Sequence, residues 1–276
     1  MVRLAQEVQP ALLLLENVPD IIRLGLDHII ETLCNQCNYE LRWMVLGAHH
    51  LGAPHTRRRW FCLAIRRDAA AQDVLERALS QLDAVDHRYP WDVQPHPPVM
   101  TLSVSTQRRQ RCAALGNSVV PDCVRQAFHL LGRASAQTSK MWRSASRRPW
   151  PTNGICMRDA DGVVEVRHWL PCLPLRTILD CQLVFDPDTY HNAKPRSKLQ
   201  RTETLSGPTV ARRWTTPRHG NVTASNVLTL RTLRDLPSQV RFERDTPDAL
   251  RGGQISAEFV EYMMGYPIGW TELPEG

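Results

Sequence analysis

Short apolar runs alternate with amphipathic stretches along the first third of the chain. Residues 11–15 are a continuous apolar run bounded by Pro10 and by Glu16-Asn17, which is how a strand buried on both faces of a parallel sheet reads. A helix is predicted next. Asp20 follows Pro19 as a candidate cap, and Ile22, Leu26, Ile29, Ile30 and Leu33 recur at spacings of three and four, the period of one helix face. Leu41, Trp43 and Val45 then alternate as a strand, and Trp60 to Ile65 reads as another, across a loop containing Gly52 and Pro54. A second amphipathic helix is predicted over 71–85, with Val74, Leu75, Ala78, Leu79 and Leu82 as its buried stripe.

Beyond this point the pattern weakens. The proline-rich stretch from Pro90 to Pro98 predicts an extended connector. Residues 115–121 lead into a helix with Val124, Ala127, Phe128 and Leu131 inward and Gly132 as its stop. From about Arg133 to Gly253 serine, threonine, arginine, proline and isolated tryptophans dominate, which predicts short strands and long loops. No internal repeat or heptad pattern is present.

With 276 residues, 42% of them hydrophobic and 22% charged, the chain is long enough for one large or two small globular domains. Its longest apolar run falls far short of the roughly 20 residues of a membrane helix, and the N-terminus lacks the form of a secretory signal. The expectation is an intracellular protein without a membrane span. The formal net charge is +6, and among the basic residues only Lys140, Lys194 and Lys198 are lysines. Arginine binds phosphate bidentately and stacks on bases, so nucleic acid is a candidate partner; composition alone weighs codon usage about equally. Eight cysteines, mostly among apolar neighbours, read as buried reduced thiols rather than a disulfide framework. Cys34 and Cys37 form a lone CxxC, a weak zinc signal for which core thiols are the better reading.

Glu16 is the first candidate for chemistry, because ligands of open α/β sheets bind beyond the carboxyl ends of strands; a capping acid is the alternative. The segment Pro10 to Pro19, containing Glu16-Asn17-Val18, resembles the ENV motif of DNA cytosine-5 methyltransferases. Leu51-Gly52-Ala53-Pro54-His55-Thr56-Arg57-Arg58-Arg59-Trp60-Phe61 is similar to that family's Gln-x-Arg-x-Arg block, with His55 where glutamine is usual. Gly116-Asn117-Ser118-Val119-Val120-Pro121 resembles its GNSVVP block, and Phe259 to Thr271, around Met264-Gly265-Tyr266-Pro267, resembles a block known from phage and viral members. Four such motifs together identify the chain as a member, of phage or viral type.

Two departures stand out. The GNSVVP block precedes the Gly265-Tyr266-Pro267 block, the reverse of the commonest family order. The cofactor glycine turn and the Pro-Cys nucleophile that open a full catalytic domain have no counterpart at the expected place; Pro171-Cys172 lies after the motifs it should precede. The resemblance therefore implies the C-terminal part of a methyltransferase: an α/β chain with a partial Rossmann-like sheet and a small irregular α+β recognition region. The expected boundaries are 1–132 for the catalytic half domain, 133–250 for a target-recognition region and 251–276 for the last motif segment.

What the family does follows from cytosine chemistry. C5 is a poor nucleophile, so a thiolate adds at C6, C5 takes a methyl group from S-adenosylmethionine, and the thiol is eliminated after the base has left the stack. By resemblance Glu16 holds and protonates N3, Arg59 holds O2, Arg57 supports the site and the DNA backbone, and Asn117 and Ser118 close the cofactor pocket. Lys140, Arg143, Arg147 and Arg148, interleaved with Trp142 and Trp150, could track phosphates and stack on bases; a solvated basic linker is slightly favoured. Two classes stay open. One is a split or truncated methyltransferase, of the kind found in restriction-modification, acting on double-stranded DNA with a complementing N-terminal subunit. The other is a catalytically inactive DNA-binding remnant.

Overall fold

In the computed structural model, residues 2–102, 105–134, 150–158, 163–169 and 254–272 are described. They fall into two compact units, one drawn from Met1–Gly47, Arg58–His87 and Cys123–Cys172, the other from Ala48–Arg57, Arg88–Asp122 and Leu173–Gly276.

The first unit is built on a five-stranded sheet. Its strands are β1 (Leu12–Asn17), β2 (Tyr39–Gly47), β3 (Arg58–Arg66), β5 (Gly154–Arg158) and β6 (Val164–His168), in the order β1-β3-β2-β5-β6. Every neighbouring pair is antiparallel, which corrects the parallel-sheet expectation. The reason is the place of β3. Because β1 and β2 each run antiparallel to β3, they share one direction, as strands joined by a helical crossover should, but the later strand is inserted between them. The apolar run of β1 is consequently only half-buried at Leu12 to Leu15. One edge of β1 pairs with β3, and among the described residues its other edge has no partner. The opposite border differs: β6 carries an Arg167–Glu165 ion pair, the kind of charge that discourages further strand addition.

Alternation along the strands sorts the core into two layers. Leu41, Trp43, Trp60, Cys62, Ala64 and Cys156 face a layer with Leu26, Ile29, Ile30 and Leu33. These come from α2 (Ile21–Leu24), α3 (Leu26–Ile29) and a π-helical stretch Ile30–Gln36, packed beside α1 (Val2–Val8). The apolar spacing thus holds but the single helix does not. Gly25 sits between α2 and α3 in a non-helical conformation, and Asp20 precedes α2 without making a side-chain cap.

The other face carries α4 (Ala69–Asp83), whose Asp68 cap accepts from the Ala71 amide and whose buried side is Ala71, Leu75 and Leu79, and α7 (Pro121–Arg133), with Cys123, Ala127 and Leu131 buried. Gly132 does not stop α7. It lies within the last turn, where a Cβ would come 2.8 Å from Leu79 Cδ2, so the glycine lets α7 approach α4. The end of α7 is instead satisfied by buried Arg42 on β2, whose Nη1 donates to Leu131 O at 3.0 Å and Gly132 O at 2.8 Å.

Gly154 plays a similar part where β5 joins β2. Its added Cβ would lie 2.3 Å from Cζ2 of fully buried Trp43, whose indole N–H donates to Pro151 O at 3.0 Å. Gly154→Ala should therefore destabilise the protein by about 1–3 kcal/mol through overpacking, seen as a lower urea midpoint at unchanged slope.

The second unit contains α5 (Pro90–Val93), β4 (Met100–Thr101), α6 (Thr106–Asn117), β7 (Gln254–Ile255) and α8 (Ala257–Met264), with β4 and β7 paired antiparallel. The proline-rich stretch is thus not wholly extended, since Pro90 opens α5. In α6 the sequence Gln107-Arg108-Arg109-Gln110-Arg111 has no apolar stripe, yet the helix is capped by Ser105, which accepts from the Arg108 amide at 3.0 Å. Arg108 is buried, donating to Ile255 O at 3.0 Å and to Gln254 Oε1. Among the described residues no helix is long and apolar enough to cross a membrane.

Candidate active site

Glu16 stands near the carboxyl end of β1, on the sheet face covered by α4 and α7, because it alternates with Leu15, which belongs to the opposite layer. Glu16 pairs with Phe61 and Asn17 with Trp60, so Arg59 lies one position beyond the ladder on the same face as Glu16. Its Nε is 3.0 Å from Glu16 Oε1, and its Nη1 donates to Arg58 O at 3.0 Å. The carboxylate remains 38% exposed and the guanidinium 24%. An ion pair this wet contributes only about 0–1 kcal/mol to stability. Asn17 closes the following turn by accepting from the Val18 amide at 2.8 Å.

The remaining motif residues belong to the second unit. The loop 48–57 opens with a 3-10 turn, Ala48–Leu51, and is closed by Ala48 N donating to Thr56 O at 2.8 Å. His55 is fully buried, with Nε2 2.7 Å from Met263 O; that nitrogen must carry the proton, since a carbonyl can only accept. Arg57 is buried and holds a positive φ of 28°, a costly conformation for a side-chain-bearing residue. Its Nη2 donates to Gly116 O at 3.1 Å and to Ser118 O. Arg57 therefore clamps its own loop to the turn after α6 instead of reaching outward toward a phosphate.

At that turn Asn117 is exposed, whereas the Ser118 hydroxyl donates to Leu115 O at 2.8 Å. Tyr266, from the motif after α8, donates its hydroxyl to Val119 O at 2.9 Å. The GNSVVP and Gly265-Tyr266-Pro267 blocks are thus in contact although their order along the chain is inverted. Sequence reasoning missed what joins them. Arg111 of α6 meets Glu258 and fully buried Glu261 of α8 at 2.9 and 3.1 Å. Burial pushes the Glu261 carboxyl up, but hydrogen bonds from Thr271, Gly269 and Arg111 outweigh it and hold the group below the usual carboxylate range.

All six described cysteines are buried. Cys62 is opposite Leu15 in register and shares its face of the sheet, not that of Glu16, and burial pushes its thiol far up. Cys172 lies outside the described residues, as do Lys140, Trp142, Arg143, Arg147 and Arg148. Trp150 is described: half-buried, it packs against the core of the first unit, with its indole N–H donating to Asp27 Oδ1 at 2.6 Å.

The profile of the family described as C-5 cytosine-specific DNA methylase matches residues 1–111, which include Glu16, Arg57 and Arg59. The matched segment thus spans the first two-fifths of the chain and resembles this family. It is similar to the type II methyltransferase M.CviJI of Paramecium bursaria Chlorella virus IL3A, at 26% identity over 96% of this chain and 71% of that protein. A shorter likeness, 36% identity over 67 residues, covers 23% of this chain and 15% of M.OihORF3336P from Oceanobacillus iheyensis. The mixed α/β architecture accords with that likeness.

Proposed function

We propose that this chain is the base-holding part of a DNA cytosine-5 methyltransferase of viral type II character, acting on double-stranded DNA. The observation that carries the reading is the Glu16–Arg59 pair, 3.0 Å apart and part-exposed at a strand end. A carboxyl group there can hold a proton against N3 of an extruded cytosine while the guanidinium donates to O2, which polarises the ring toward attack. The pair is worth little to the fold, so its placement favours a binding role. Arg57 acts through the Gly116–Ser118 turn and is a positioning residue in this reading.

S-adenosylmethionine, when bound, supplies the methyl group. The described residues fit one side of such a cofactor at most: Asn117 is exposed for it, Ser118 is engaged in holding the turn, and no glycine-rich strand-to-helix turn occurs among them. The thiol nucleophile and the cofactor turn belong, in this reading, to an element that pairs with the open, apolar edge of β1. The likeness to a viral type II methyltransferase over nearly the whole chain supports the methyltransferase part of this reading.

The test is label transfer from S-adenosylmethionine to unmethylated DNA. The chain by itself should give no base-linked label above the protein-free control. Mixing it with a methyltransferase segment that carries a Pro-Cys motif and a glycine turn should restore transfer. Transfer by the chain alone would overturn the division of labour, and a mixture that assembles on DNA yet never transfers label would leave a DNA-binding protein without catalysis.

A further inference from the structure

Cys34, Cys37, Cys62 and Cys156 all belong to the core layer on one face of the first unit's sheet. Two of them touch: Sγ of Cys156 lies 3.6 Å from Sγ of Cys34 and donates to it. They come from different elements, the π-helical stretch and β5, and are 122 positions apart in sequence. Both are free thiols, at 1% and 0% exposure. Arg158, two residues beyond Cys156, donates from Nη2 to Asn35 O at 2.5 Å and to Cys34 O at 3.5 Å, so a guanidinium is fixed at the end of the π-helical stretch.

We infer that Cys34 and Cys156 are a dithiol poised for oxidation to a disulfide by a small hydroperoxide, a cross-link that fastens the π-helical layer to the β5–β6 extension of the sheet. The sulfurs are already at van der Waals contact, so closure needs side-chain rotation and little more. The hydrogen bond from Cys156 holds the Cys34 thiol below its ordinary value against the opposing effect of burial, and Arg158 and Arg67 act in the same direction. Cys156 is raised by that same contact and by burial. Cys34 is accordingly assigned as the attacking sulfur and Cys156 as the resolving one.

The steps balance without another reactant. Cys34 sulfur attacks one oxygen of hydrogen peroxide, the O–O bond breaks, and the departing hydroxide takes up the proton that Cys34 released, leaving water and a sulfenic acid. Cys156 sulfur then attacks Cys34 sulfur, the S–O bond breaks, and the second oxygen leaves as water with the Cys156 proton. The two thiols lose two electrons and two protons, and the peroxide is reduced to two waters.

The experiment treats the native full chain with hydrogen peroxide, blocks residual thiols, and maps tryptic peptides without reduction. Peptide 24–42, holding Cys34 and Cys37, should be joined to peptide 148–158, holding Cys156, lighter than their sum by the two hydrogens lost. The link should persist in Cys37→Ser and vanish in Cys156→Ser, and the oxidised protein should melt about 5–10 °C higher than the reduced one. Because Cys156→Ser could fail to fold, Cys37→Ser decides independently. Loss of the link in a folded Cys37→Ser protein, a Cys34–Cys37 disulfide in its place, sulfinic acid without a link, or thiols unchanged after treatment would each overturn the inference.

Discussion

Glu16→Gln should lower turnover of the reconstituted methyltransferase by about 10² or more, with assembly and thermal stability unchanged. Glutamine preserves the shape of the side chain and an oxygen acceptor but cannot carry the proton that N3 requires, and general-acid assistance of this kind contributes about 10²–10⁴ in rate. The separation of rate from stability is what makes the experiment informative. With the carboxylate 38% exposed beside Arg59, breaking the pair costs about 0–1 kcal/mol, too little to unfold the unit. Single-turnover label transfer measures the chemical step directly, and sedimentation or light scattering confirms assembly. A variant that transfers methyl groups at nearly the wild-type rate would reduce Glu16 to a turn residue and remove the basis for the proposed role.

The local elements of this protein were legible where side-chain periodicity reflects one buried face. β2, β3 and α4 follow directly from Leu41-Trp43-Val45, from Trp60 to Ile65 and from the Leu75/Leu79 stripe. Sheet order was not, because an apolar run such as Leu12 to Leu15 looks the same whether its neighbours are parallel or antiparallel. The pairing of β1 with β3 is a long-range choice that no window of sequence encodes. The helix α6 was hidden for another reason. Its buried face is made by Arg108, Cys112 and Leu115, and a guanidinium buried against Ile255 O reads as surface until its partner is known. For the candidate site, motif resemblance located Glu16 and Arg59 at a strand end and the structure pairs them. The inward role of Arg57 was not readable, since a buried arginine and a phosphate-binding one have the same letter.

The largest stability loss should come from Glu261→Gln, through a group that carries no chemistry. Its carboxylate is fully buried and accepts from Gly269 N at 2.7 Å, Thr271 N at 2.8 Å, the Thr271 hydroxyl and Arg111 Nη2 at 3.1 Å. Glutamine would turn an amide donor toward groups that are themselves donors and leave Arg111 without its buried counter-charge. Breaking a buried pair from one side costs about 3–5 kcal/mol. Glu258, which also meets Arg111 but is 32% exposed, provides the control, and Glu258→Gln should cost less than about 1 kcal/mol. The pH dependence follows from the lowered carboxyl of Glu261. A folded-state pKa below the unfolded value of about 4.3 means the contribution is fully present above that value and is lost as pH falls through the lower folded value. Urea midpoints of wild type and Glu261→Gln should therefore stand well apart at neutral pH and converge as the pH is taken below about 4. A variant within about 0.5 kcal/mol of wild type at neutral pH, or a gap that does not narrow in acid, would show that the α6–α8 contact is held by apolar packing and that the carboxylate contributes nothing net.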